Sequence, residues 1–233
     1  MDIGILMTGT IIPQSNYVVV KSSEQRRHEY LKAIEFYREF APVWFAENSA
    51  YDVENDDEFR KWDDVHIIKC RKPYEYSKGK GYQEFKMIDE CLSGGDIPNR
   101  LIKVTGRYII QPFQDIIDEC KKKNDKPVII NLHSKSKQAD TYLMCFDTNF
   151  YRDNLMNLYK EANDDIGHYI EHVYYDYFLK HGEYYRIFLH EVNILAVSGS
   201  TGKRYAITPY WKIQIKDFIR NILIKGGKKT IPW

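Results

Sequence analysis

No stretch of this chain approaches the roughly 20 consecutive apolar residues that a membrane-spanning helix requires, so the sequence predicts a soluble protein and leaves peripheral attachment to a membrane open. Cysteine is scarce. Cys70, Cys91, Cys120 and Cys145 stand far apart with no C-x-x-C pair, which argues against a zinc site or a disulfide framework and for a reducing, cytoplasmic setting. Charge of one sign is also lacking: 34 Lys and Arg balance 33 Asp and Glu, and a net charge of +1 gives no footing for a nucleic-acid surface. The P-loop spacing G-x-x-x-x-G-K-[ST] is absent, and the single G-x-G at Gly79 and Gly81 lacks the third glycine of the dinucleotide fingerprint. The amino-terminal run Met1–Met7 is too short and too acidic at Asp2 for a signal peptide, and reads as a first strand.

The 233 residues are 43% hydrophobic, enough for one substantial core. Apolar runs bounded by turn residues alternate with amphipathic stretches, the pattern of βα units around a largely parallel sheet. Strands are expected at Ile3–Met7, Pro42–Ala46, Val65–Cys70, Leu101–Thr105, Val128–Leu132, Tyr142–Phe146 and, late in the chain, Ile187–Glu191. Helices are expected at Glu24–Phe40, Gly81–Leu92, Phe113–Lys122, Asn149–Ala162, Ile166–Lys180 and Trp211–Lys225. In the first of these, Arg26, Arg27 and Glu29 read as a solvated face behind the caps Ser22 and Ser23. Tyr51–Asp64 reads as an exposed connection, and Lys228–Trp233 as a frayed terminus.

Two segments point at a phosphate. Lys78-Gly79-Lys80-Gly81 opens a helix and combines free backbone N–H groups, the positive helix end and two ammonium groups, although glycines and lysines also crowd ordinary loops. Glu84, one turn in, can cap backbone donors, its more natural role, or reach a ribose or sugar hydroxyl. In Lys103-Val104-Thr105-Gly106-Arg107-Tyr108, a Lys, a Gly and an Arg interrupt a strand end where packing alone favours aliphatic residues. Arg107 can grip a phosphate with two N–H groups and Gly106 lets a ligand approach the backbone, while the plain alternative is a solvated strand end. A nucleotide base is expected to stack near the Met7–Thr10 turn.

A third segment, Ser198–Tyr205, is rich in small residues and suits a mobile cover whose Ser200, Lys203 and Arg204 close on phosphates, or a mere flexible connection. Two carboxylate–imidazole neighbours, Glu171-His172 and His190-Glu191, offer candidates for a general base. Adjacent residues point in different directions, so each pair supplies at most one inward group. Metal ligands are not assigned. Asp63-Asp64 and Asp164-Asp165 could hold an ion, although solvated loop carboxylates are the commoner case.

Together, Lys78–Glu84, Ile102–Tyr108, Ile170–His172 and Gly199–Tyr205 resemble a group of small GT-A-type glycosyltransferases of bacterial and viral surface-glycan assembly, such as lipopolysaccharide and capsule. The resemblance implies a single GT-A-like (Rossmann-like) domain over 1–233, a three-layer α/β sandwich around a mostly parallel sheet with C-terminal helices. Residues 1–110 would form the nucleotide-binding half and 111–233 the acceptor side. It implies transfer of a sugar from a nucleotide-diphosphate donor to a glycan or glycolipid acceptor. The donor would be held by Thr8, Gly9, Lys78, Gly79, Lys80, Gly81, Glu84, Lys103, Thr105, Gly106, Arg107, Ser200 and Lys203, with Glu191 or Glu171 as base. Most GT-A enzymes carry an Asp-x-Asp pair for a divalent ion where this chain has Thr105-Gly106-Arg107. A cation thus replaces a carboxylate pair, so Mn or Mg is an option rather than an obligatory cofactor. A non-catalytic sugar-nucleotide-binding module and a nucleotidyltransferase-like enzyme are the alternatives.

Overall fold

Long β-branched and aromatic runs bury both of their faces in parallel sheets, because crossover helices cover the sheet on either side. The computed structural model describes residues 2–13, 22–75, 77–122, 126–197 and 202–233 and has this arrangement. Its elements in chain order are β1 (Ile3–Gly9), α1 (Ser23–Arg38), β2 (Val43–Glu47), the one-turn α2 (Asp57–Arg60), β3 (Val65–Lys69), α3 (Lys80–Ser93), β4 (Arg100–Thr105), β5 (Ile109–Gln111) and α4 (Phe113–Lys121). They continue as β6 (Val128–His133), β7 (Gln138–Asp147), α5 (Thr148–Asn154), α6 (Ile170–Lys180), β8 (Tyr185–Arg186), β9 (Asn193–Leu195) and α7 (Tyr210–Lys225).

Seven strands form one sheet in the order β3-β2-β1-β4-β7-β6-β8. β1 runs parallel to β2 and β4, and β2 to β3, whereas β7 runs against both β4 and β6. The reversal follows from the short link 134–137, which permits a hairpin and is too short for a crossover. β5 and β9 pair as a separate antiparallel ribbon. On one face, Tyr30, Ile34 and Tyr37 of α1 and Phe113 and Ile117 of α4 pack on Ile5, Phe45 and Val104. On the other, Phe85 and Ile88 of α3, Tyr151 of α5 and Tyr174 and Phe178 of α6 pack on Leu6, Leu101 and Met144. The result is the expected three-layer α/β sandwich. All four cysteines are buried and free, and among the described residues no helix is long and apolar enough to cross a membrane.

Several local expectations change. Residues 51–64 are not a bare connection: Val53 and Phe59 are fully buried, and Phe59 stacks on Phe45 with ring centroids 5.3 Å apart. The helix expected over Asn149–Ala162 stops at Asn154, since Asn157 turns left-handed (φ 66°) and donates its N–H to the buried Asp89 at 2.6 Å. Left-handed Gly167 (φ 73°) similarly delays α6 to Ile170. Ile187–Glu191 is not a strand, because its backbone is held by side chains: Phe188 N–H donates to Asn131 and Leu189 N–H to Glu119. The tail does not fray. Ile231 is fully buried and exchanges backbone hydrogen bonds with Leu132 and Ser134 beside β6.

Candidate functional site

Parallel strands β1 and β4 end side by side, with Thr8 in register with Thr105. Ligands of open α/β sheets sit outside such carboxyl ends. A cavity of about 410 Å³ opens there, in the size range of small-ligand sites. It is lined by the ends of β1 and β4, the starts of α1, α3 and α6, and the first residues of β7, so it draws on both sides of position 110.

The floor is a buried polar network that the strand register builds. Thr8 Oγ1 and Thr105 Oγ1 both donate to Glu84 Oε1, at 2.5 and 3.1 Å. Lys103 Nζ reaches the same oxygen at 2.8 Å and also donates to the Thr141 carbonyl on β7 at 2.5 Å. Three donors on one carboxylate oxygen fix the orientation of Glu84, and none of these bonds uses Oε2. Glu84 therefore lines the pocket rather than capping α3, whose N-cap Gly79 has no side-chain partner.

One end of the cavity is cationic. Arg26, Lys80 and Arg107 all line it. Arg26 is buried against Thr10 and Tyr30: its Nε and Nη2 donate to the Thr10 carbonyl at 2.8 and 2.5 Å, and Nη2 also donates to the Tyr30 hydroxyl at 3.0 Å. Arg107 Nη1 is paired behind with Glu29 at 2.5 Å. Burial lowers the pKa of Lys80, and the charges of Arg26 and Arg107 push it further down. Burial likewise lowers Arg26, with Arg107 adding to the effect. The lowering of Lys80 and Arg26 by neighbouring cations marks a site of positive potential, which a polyanion relieves.

Another part of the lining is acidic. Glu171, in the first turn of α6, accepts a 3.4 Å hydrogen bond from Thr141 Oγ1. Burial raises its pKa, and the charge of nearby Glu84 adds to the rise against the lowering by its own N–H and by Lys103. Next to it, Asp140 Oδ1 lies 3.0 Å from His133 Nε2, while Tyr142 donates to Asp140 Oδ2 at 3.2 Å. Burial disfavours protonated His133, but Asp140 and the Trp233 carbonyl outweigh it and leave the pKa raised.

Of the residues singled out by sequence, Thr8, Gly9, Lys80, Gly81, Glu84, Thr105, Arg107 and Glu171 line this cavity. Six of the others do not line it. Lys78 is exposed, with Nζ 5.4 Å from the centre of the Tyr82 ring. Gly79 is crowded by Asp164, where a Cβ would overlap the carboxylate. Lys103 is fully buried beneath the floor, so it organises Glu84 rather than facing a ligand. Gly106 does not admit a ligand to the backbone: a Cβ there would collide with the Thr8 carbonyl, and the Gly106 N–H donates to that oxygen at 3.0 Å. Gly81 serves close packing too, since a Cβ would overlap Ile170. Glu191 does not line the cavity; Lys216 and Arg220 of α7 hold its two oxygens. Lys203 is exposed outside the lining, and Ser200 falls outside the described residues.

Arg26 is the main residue that sequence reading missed. Its charge suits a solvated face, yet Arg26 is 5% exposed, Arg27 pairs with Asp56 and Glu29 with Arg107. The available signal was the i,i+4 pair Arg26 and Tyr30 in the helix that follows the first strand. The sequence also holds an H-x-x-E-H string, His168–His172, a pattern associated with helical zinc sites. Because α6 begins at Ile170, His168 lies outside the helix, and His172 Nδ1 instead accepts the Tyr169 N–H at 3.1 Å. Among the described residues no group of three His, Cys, Asp or Glu side chains is arranged to hold a metal.

The architecture is α/β, Rossmann-like and of the GT-A-like class. Similar solved structures include the galactosyltransferase LgtC in complex with donor and acceptor sugar analogues (TM-score 0.52, 8% identity, covering 78% of this chain and 73% of that one). The apo glycosyltransferase GlyE of Streptococcus pneumoniae is similar at TM-score 0.50 and 6% identity, over 81% of this chain and 45% of that one. A third, 4-diphosphocytidyl-2C-methyl-D-erythritol synthase of Anaerococcus prevotii, has TM-score 0.46 and 12% identity, over 96% of each chain. No protein-family model matches the chain, and no curated protein matches it in sequence.

Proposed function

We propose that this chain is a glycosyltransferase that moves a sugar from a nucleoside-diphosphate donor to a glycan or glycolipid acceptor, in the manner of surface-polysaccharide enzymes. The observation that carries this reading is the convergence of Arg26, Lys80 and Arg107 at the ends of β1 and β4, in the same cavity that Glu171 lines. The diphosphate lies on the three cations, and Glu84 Oε2 accepts from a donor hydroxyl. The acceptor hydroxyl attacks the anomeric carbon, the bond from that carbon to the β-phosphate oxygen breaks, and its electron pair leaves with the nucleoside diphosphate. The acceptor proton passes to Glu171, whose raised pKa suits a base that must hold a proton in the transition state. Positive charge fixed in advance stabilises the developing anion.

A divalent ion does not fit the donor set at the strand ends. Arg107 stands where a carboxylate pair would be needed, and Glu84 Oε1 is already saturated by Lys103, Thr8 and Thr105. Our reading therefore routes no step through a metal.

The test is a thermal-shift screen against UDP, GDP, CDP and dTDP sugars with and without manganese, followed by product analysis. A ligand at a hundred times its Kd adds about 2.7 kcal/mol of stability. Release of nucleoside diphosphate with a glycosylated acceptor supports the reading. Release of pyrophosphate from a nucleoside triphosphate would identify a nucleotidyltransferase, and donor binding without turnover a binding module.

A further inference from the structure

A surface helix ordinarily turns its apolar stripe to the core and its charges to water. α7 buries Ile213 and packs Ile224 on the core, yet it also keeps a second apolar stripe in water. Its charged side chains grip the body: Arg220 is buried and donates to Asn131 and Phe188, Lys216 pairs with Glu191 at 2.6 Å, and Asp217 accepts from the Glu191 N–H at 2.6 Å. Outward stand Trp211, Ile215, Phe218 and Ile222, spaced four, three and four residues apart, with exposures of 59, 50, 67 and 53%. Tyr210, at the start of the same helix, is 70% exposed. So continuous an exposed apolar stripe marks an interaction surface.

Its surroundings select the partner. From residue 207 to 233 the chain holds six cationic residues, Lys212, Lys216, Arg220, Lys225, Lys228 and Lys229, and one acidic residue, Asp217. Arg220, Lys216 and Asp217 face the body, so the exposed charges of this segment are Lys212, Lys225, Lys228 and Lys229, with no exposed carboxylate among residues 207–233. Apolar residues centred between lysines, with Tyr and Trp at one end, match the boundary of an anionic bilayer, where rings sit at headgroup level and lysines meet phosphates. A second copy of this chain would oppose lysines to lysines.

We propose that α7 is a membrane-docking helix that lies in the headgroup layer of an anionic phospholipid surface. Its inner side holds Asn131 and the segment Phe188–Glu191. Asn131 in turn donates to Asp140, which lines the acidic end of the cavity, so the docked helix brings that end close to lipid. Docking is independent of the proposed activity, and its assay reads vesicle binding alone.

The full chain is sedimented with vesicles of phosphatidylcholine alone and with about 30% phosphatidylglycerol. Partition onto the anionic vesicles is expected to be at least about tenfold stronger and to fall as salt rises. Ile215→Glu/Phe218→Glu is expected to lower it at least about tenfold, with circular dichroism and melting temperature unchanged because both side chains are already in water. Equal partition of wild type and variant, or no binding to anionic vesicles, overturns the proposal. So does light scattering that finds a dimer which the same variant converts to monomer.

Discussion

Replacing Arg107 by glutamine removes one of three cations at the proposed diphosphate end and at the same time strips Glu29 of its ion-pair partner. The guanidinium is 8% exposed and 2.5 Å from Glu29, so water screens it poorly. Loss of a charge-assisted bond to phosphate is worth about 1.5–3 kcal/mol. Glu29 keeps its charge in wild type and variant alike and still accepts from Gln25 at 2.9 Å, so this loss alone sets the effect. The Kd for UDP or GDP should rise roughly 10- to 150-fold by isothermal titration calorimetry. Glu29→Gln works in the opposite direction: it leaves Arg107 unneutralised and should tighten binding, while the double variant should fall between the two. If Arg107→Gln leaves Kd within a factor of three, Arg107 does not meet the diphosphate and the cationic end has been misassigned.

Glu171→Gln should slow transfer at least about a hundredfold, and the wild-type rate should rise with pH along a limb displaced above the ordinary glutamate value of 4.5, because the base works deprotonated. Since the folded carboxyl binds its proton more tightly than the unfolded one, wild type loses stability as pH rises from about 4.5 through the raised value, and the variant does not. Melting temperatures across pH should therefore diverge in favour of Glu171→Gln on the alkaline side, and parallel curves would refute the buried carboxylate. Lys103→Met leaves Glu84 without its cation and should cost about 3 kcal/mol in urea unfolding, the low end for a broken buried pair because Glu84 borders the cavity. Adding Glu84→Gln should recover much of that loss. Gly106→Ala must displace the β1 backbone at Thr8 and should cost more than about 2 kcal/mol by the same measurement, whereas Gly95→Ala, with open space around it, should stay within about 0.5 kcal/mol.

Much of the sheet was legible. β1, β2, β4 and β6 are apolar runs whose faces are both buried, and α1, α3 and α4 repeat apolar residues at helical spacing, so local pattern and final environment agree. The late chain was harder. Ile187–Glu191 looks like a strand because Ile187 and Phe188 are apolar and buried, but Asn131 and Glu119 supply the partners that a ladder would. α7 has strong helical periodicity, and the same pattern fits either a helix that faces the core or one that faces away.

The candidate site divides in the same way. Sequence alone brought out Lys80, Thr105, Arg107 and Glu171, since a glycine-lysine turn before a helix, a polar interruption of an apolar strand and a carboxylate beside an imidazole are each visible without any knowledge of their neighbours. Only tertiary structure separated Lys103, which lies under the floor, from Arg107, four residues on, which faces the cavity. It alone carried Arg26 to the end of β1, turned Glu191 into a clasp for α7, and made Gly106 a contact between strands rather than an opening for a ligand. The physical reason is that periodicity records how much of a face is buried, whereas the partner of a charge and the reason for a glycine depend on segments distant in the chain, which meet only when the sheet closes.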